Sequence, residues 1–252
     1  MSRREEKRFL MTTTLTTPYI YYNQGKNLSA KAQESLHLAN QAFEKQDIAK
    51  ATEYYKEALD ASPDSSELLN NMGAILAAQG APQEGIKFFK KATELDAACV
   101  GAWYNFGTMF LTFNMGEEAR QNLDKAYALD KDSAPILNNL GIAYMHLSQF
   151  DKARASFQEA IEKHPEFDYA YHNIGTMLYD QDKYEEAMGY FHQSLEKNAQ
   201  NFAALNDLAC TLYVSDKTEE AIPLLKKSIE VNTAYRMPYH NLGYIVYKNN
   251  LV

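Results

Sequence analysis

The chain has 252 residues, 46% hydrophobic and 23% charged, a globular balance unlike that of a disordered tail. Its 11 glycines and 7 prolines are few for this length, which argues against an all-β or collagen-like chain and for a helical one. The net charge of −8 is unevenly spread. Residues 1–28 hold five Lys/Arg against two Asp/Glu, and the remainder holds 20 basic and 31 acidic residues, a charge of −11. An acidic body repels phosphate backbones, so no nucleic-acid partner is expected.

From the N-terminus, the charged run Arg3–Arg8 leads into threonines between Thr12 and Thr17, which interrupt any apolar segment that could serve as a secretory signal. No later run approaches the ~20 apolar residues of a membrane span. Two cysteines, Cys99 and Cys210, are too few for a disulfide framework or a four-thiolate zinc site. A cytoplasmic protein without membrane insertion is expected. Pro18-Tyr19-Ile20-Tyr21-Tyr22 is an aromatic patch in an otherwise polar extension spanning 1–31. It is expected to be partly disordered, to dock on the first helix, or to act as an arm entering its own or a neighbour's groove.

Beyond the extension, small residues recur at Ala39, Gly73, Gly107, Gly141, Gly175, Ala209 and Gly243, each 34 residues after the last. A second series, Ala51, Gly85, Ala119, Ala153, Ala187 and Ala221, keeps the same period, as does a third from Ala58 to Ser228. Large apolar residues hold register between them: Tyr55, Phe89, Leu123, Phe157, Phe191 and Leu225 each lie three before the third series. Within a unit the apolar spacing is three to four, which predicts helices. Breaks are expected at Gln46-Asp47, Gly80-Ala81-Pro82, Asn114-Met115-Gly116, Ser148-Gln149, Asp182-Lys183 and Asp216-Lys217. Each unit is therefore two helices, the small residues permitting close approach. Pro223 lies early in a second helix, where it is expected to be tolerated.

Trp103-Tyr104-Asn105-Phe106-Gly107, Asn138-Asn139-Leu140-Gly141-Ile142-Ala143-Tyr144 and Tyr184-Glu185-Glu186-Ala187 closely resemble the helix signatures of the tetratricopeptide-repeat family. The resemblance spans residues 32–252, as six repeats (32–65, 66–99, 100–133, 134–167, 168–201 and 202–235) and a final helix, 236–252. It implies an all-α fold, a right-handed superhelical solenoid of helix-turn-helix repeats whose first helices line a concave groove.

The sixth position of each repeat reads His37, Asn71, Asn105, Asn139, Asn173, Asp207 and Asn241. An amide offers donors and an acceptor that match an extended peptide backbone. The row is expected to act as a ladder for such a peptide, similar to that of the O-linked N-acetylglucosamine transferase, or else to bond to neighbouring turns. Asn40, Tyr104, His172, Tyr179 and Tyr213 are further candidate peptide-contacting residues. In the chaperone-binding members of the family a carboxylate clamp uses Lys, Arg and Asn. Here Asn40 and Asn71 match, but Leu36, Gly101 and Asn105 replace the cations, so no chaperone tail is expected.

No glycine-rich phosphate loop, nucleophile elbow or metal-ligand spacing is present, and none of the six histidines pair at i,i+3 or i,i+4. No catalysis, metal or cofactor is expected. The expected function is a protein-protein interaction module for an extended peptide. The alternatives are a self-assembling scaffold, or the targeting subunit of a multi-chain machine. Self-association is assigned to the N-terminal arm or to the apolar last helix, through Tyr244, Ile245 and Tyr247.

Overall fold

The structure, a computed structural model, describes residues 28–249, which fall into two compact units, 28–147 and 148–249. Among the described residues there are thirteen α-helices and no strand. The first unit holds α1 (Ala30–Glu44), α2 (Ile48–Ala61), α3 (Ser66–Ala78), α4 (Pro82–Leu95), α5 (Val100–Thr112), α6 (Gly116–Leu129) and α7 (Ala134–His146). The second holds α8 (Phe150–Lys163), α9 (Asp168–Asp180), α10 (Tyr184–Lys197), α11 (Phe202–Val214), α12 (Thr218–Val231) and α13 (Met237–Lys248). In the first unit α1 packs on α2, α3 on α4 and α5 on α6, and the first helices α3, α5 and α7 touch in succession. In the second, α9 packs on α10 and α11 on α12, with α9, α11 and α13 in succession. Each unit is thus an all-α stack of helix pairs. The N-terminal arm, Met1 to Lys26 with Asn27, and the last three residues lie outside the described residues.

The pairing follows from the small-large-small stripe of every second helix. The buried faces are Ala51, Tyr55 and Ala58 in α2, Gly85, Phe89 and Ala92 in α4, and Ala119, Leu123 and Ala126 in α6. The same stripe is Ala153, Phe157 and Ala160 in α8, Ala187, Phe191 and Ser194 in α10, and Ala221, Leu225 and Ser228 in α12. The large central residue presses on the small residue of its partner helix. A Cβ on Gly73 would stand 2.6 Å from the Phe89 ring, and one on Gly175 equally 2.6 Å from Phe191. A side chain there would have to push the ring aside, so Gly73 and Gly175 mark how near their paired helices come. α12 runs through Pro223 unbroken.

The six expected breaks have one geometry. Gln46, Gly80, Asn114, Ser148, Asp182 and Asp216 all take positive φ, between 56° and 82°. This left-handed residue turns the chain out of the first helix and into the second. Only Gly80 is a glycine; the other five bear the cost that a Cβ meets in this region, about 1 kcal/mol each. Gln46→Gly and Asn114→Gly should each therefore raise stability by about 0.5–1 kcal/mol, whereas Gly80→Ala should lower it by about 1 kcal/mol. Equilibrium urea unfolding checks all three, and unchanged midpoints would contradict the assignment.

Candidate protein-interaction face and its buried amide row

The candidate residues lie on the first helices. In the first unit, Asn105 Nδ2 donates to Asn70 Oδ1 at 2.8 Å, and Asn70 Nδ2 donates to Asn71 Oδ1 at 3.2 Å. Asn139 Nδ2 donates to Thr108 Oγ1 at 2.8 Å and accepts from Asn138 Nδ2 at 3.2 Å. The sixth-position amide of one repeat thus reaches back to the fifth or ninth position of the repeat before it. Thr108 is held for this by its own hydroxyl, which donates to the Tyr104 carbonyl at 2.8 Å. In α1, where no repeat precedes, the sixth position is His37, which is exposed.

The second unit repeats the design with one exchange. Asn241 Nδ2 donates to Asn206 Oδ1 at 2.9 Å and lies 3.2 Å from Cys210 Sγ. One repeat earlier the pair is His172 Nε2 and Asp207 Oδ2, 2.8 Å apart, both side chains wholly buried. Asp207 Oδ1 also accepts from Asn206 Nδ2 at 2.8 Å. Burial pushes the Asp207 carboxyl up from its ordinary range, against the hydrogen bond from His172 that favours its anion. Burial likewise raises the Cys210 thiol well above its usual value, which keeps it protonated and unreactive.

Asn71, Asn105, Asn139, Asn173 and Asn241 are all 3% exposed or less. Asn105, Asn139 and Asn241 each bond to the first helix one repeat earlier, the arrangement expected of amides that bond to neighbouring turns. Asn40 is also buried, its Oδ1 accepting from Tyr55 Oη at 2.7 Å. Tyr104, His172 and Tyr179 are buried, and the Tyr179 phenol is driven further from ionisation by that burial. Tyr213 is half-buried and meets Tyr244 edge-on, ring centroids 6.1 Å apart. At the last helix Tyr247 is 75% exposed, but Ile245 is 2% exposed. Ile245 thus points into the packed interior of its unit and leaves the outward apolar end. The residues not named among the candidate contacts are the partners Asn70, Thr108, Asn138, Asn206 and Cys210. Their signal was the doublets Asn70-Asn71, Asn138-Asn139 and Asn206-Asp207, in which adjacent polar residues sit in a helix that is otherwise buried.

Among the described residues no cluster of three or more His, Cys, Asp or Glu could hold a metal ion, and no helix is long and apolar enough to cross a membrane.

Models of the tetratricopeptide repeat match residues 36–99, 134–167 and 169–200, together more than half of the chain. The chain belongs to the tetratricopeptide-repeat family. No curated protein matches it. Among solved structures it is similar to one titled as the APC/C hetero-tetramer Cut9–Hcn1, with TM-score 0.74, 18% identity and 86% of this chain covered. It spans only 43% of the length of that protein. A tetratricopeptide repeat protein from Parabacteroides merdae matches with TM-score 0.70, 18% identity and 88% of each chain. YrrB, titled a TPR protein with an unusual peptide-binding site, matches with TM-score 0.52 and 22% identity over 76% of this chain and 98% of its own. At these identities the likenesses carry the fold.

The exchange at His172 and Asp207 gives a test of the row. His172→Leu alone leaves the buried Asp207 carboxyl without the ring nitrogen it bonds to and should cost about 3–5 kcal/mol. His172→Asn with Asp207→Asn recreates the Asn–Asn pair of the neighbouring repeats and should recover all but about 1 kcal/mol. Chemical unfolding of both variants checks this; equal stability of single and double would contradict the pairing.

Proposed function

We propose that this tetratricopeptide-repeat protein is a non-enzymatic, cytoplasmic interaction module that holds an extended peptide segment of a partner along its first helices. In this reading the first helices of each unit carry the recognition positions. The observation that carries it is the make-up of that row. The fifth, ninth and twelfth positions of all seven units contain Asn, Tyr, Phe, His, Thr, Cys, Met and aliphatic residues, without one Lys, Arg, Asp or Glu, in a chain that is 23% charged. An uncharged, amide- and aromatic-rich row suits a neutral backbone, to which amides contribute about 1 kcal/mol per bond and tyrosines contact area at low entropy cost. YrrB, a TPR protein with an unusual peptide-binding site, is in keeping with this reading.

A second reading has its own observation. Tyr239 and Tyr247 on α13 are 47% and 75% exposed, two large aromatic surfaces on one terminal helix. A second copy docking there would give the self-associating scaffold.

The discriminating experiment selects binders to the full chain from a displayed library of random unstructured peptides. Selected peptides should lose at least about tenfold in affinity, or 1.4 kcal/mol, on Ala74→Arg, which puts a long cation on the row. They should be unaffected by Lys87→Glu on the exposed stripe of α4, with helicity checked by circular dichroism. Failure to select any peptide, or binding indifferent to Ala74→Arg, would overturn the row as the binding face. A mass that rises with concentration and falls to monomer on Tyr247→Glu would then support the scaffold.

A further inference from the structure

On another side of the first helices from the fifth, ninth and twelfth positions, one polar contact recurs between consecutive repeats. An aromatic residue at the fourth position donates to the carbonyl six residues earlier, in the loop that ends the preceding repeat. Trp103 Nε1 donates to Ala97 O at 2.9 Å, Tyr171 Oη to Pro165 O at 3.1 Å and Tyr239 Oη to Thr233 O at 3.3 Å. Trp103 is also covered by Lys125 of α6, whose Nζ stands 4.0 Å from the ring centroid. In α3 the fourth position is Leu69, and there Phe88 of α4 packs against the cluster that contains it. In each of these seams the chain supplies its own ring.

The seam above α11 has none. Its fourth position is Leu205, Phe106 and Phe110 of α5 are matched by Leu208 and Leu212, and Phe88 is matched by Leu224. α10 and α12 both pack on α11, and between them lies an open cleft of about 370 Å³, within the ~300–1,000 Å³ of ligand sites. Leu205, Leu208 and Leu212 are buried at its floor, and the partly exposed Leu195 and Leu224 wall it. Ala199 and Lys227 also line it, both exposed, and three repeats separate them from Ala97 and Lys125. A leucine carries no donor for the Ala199 carbonyl and no ring for Lys227. The two groups that hold an indole in the first unit are therefore repeated around a cleft whose own residues include no aromatic side chain but that of His192.

We infer that this cleft is a receptor for a tryptophan side chain of a partner protein. The ring enters between α10 and α12, lies against the leucines, donates its N–H to Ala199 O and takes Lys227 over its face, as Trp103 takes Lys125. A partner's leucine or phenylalanine meets the same walls but leaves the carbonyl without a donor, and a lysine or arginine meets Lys227 as a like charge. A second copy of this chain is not the source, because its one tryptophan, Trp103, is already bonded within its own seam. The cleft is separate from the first-helix row and does not rest on the function proposed for that row.

The test titrates the full chain, isotope-labelled at its leucine methyls, with the capped peptide acetyl-Gly-Trp-Gly-amide and in parallel with acetyl-Gly-Leu-Gly-amide. Methyl resonances of Leu205, Leu208 and Leu224 should shift and saturate with the tryptophan peptide, and the leucine peptide should bind about fivefold more weakly or worse. Lys227→Gln should weaken the tryptophan peptide about two- to fivefold. Leu205→Trp copies Trp103 into the cleft and should abolish the shifts at Leu208 and Leu224. Leu224→Phe, which copies Phe88, closes the cleft a second way and should abolish those at Leu205 and Leu208, with the fold of both variants checked by circular dichroism. The inference is overturned by the absence of saturable shifts at these methyls, by shifts that persist in a folded filled variant, by equal affinity for the leucine peptide, or by indifference to Lys227→Gln.

Discussion

Everything in this protein depends on how closely successive helices can approach while keeping buried polar groups satisfied. Inside a helix pair the constraint is steric: a phenylalanine or leucine of the second helix presses on a glycine or alanine of the first, and a larger residue would have to push it aside. Between pairs it is polar: an amide at the sixth position bonds to the fifth or ninth position one repeat earlier. An amide buried without a partner costs about 1–3 kcal/mol, so a sheared or splayed pair of first helices loses more than apolar contact. Apolar packing alone would tolerate sliding by fractions of a turn; a directional bond of 2.8 Å between Asn105 and Asn70 does not. The row therefore sets the register in which the first helices present their remaining face.

That face has two properties that pull in opposite directions. It is uncharged and rich in amides and aromatic rings, as a surface for an extended backbone should be. It is also buried at Asn70 and Ile142.

Much of this was legible in the sequence. The 34-residue recurrence of Gly73, Gly107, Gly141 and Gly175 gave helix pairs, because small residues at a fixed interval identify the tight contact directly. The breaks were legible as Gln46, Asn114 or Asp182 near polar neighbours, although their left-handed backbone was not, since glycine, its usual marker, occurs only at Gly80. The asparagines were legible as a row but not as buried. Periodicity tells which residues share a face, whereas burial depends on what packs across it. Ile245 failed for the same reason: the apolar residues of the last helix wrap most of its circumference, and pattern alone does not say which of them meets α11 and α12. The His172–Asp207 pair was hidden because its members are 35 residues apart and each looked like an exception at its own position.

The most direct test of the account is a double-mutant cycle on Asn70 and Asn105, with Asn70→Ala, Asn105→Ala and the double variant compared by equilibrium unfolding. A register-setting bond between first helices requires a coupling energy of about 1 kcal/mol or more, the second alanine costing much less once the first partner is gone. Additive losses, with coupling indistinguishable from zero, would mean that the amide row does not hold successive repeats together.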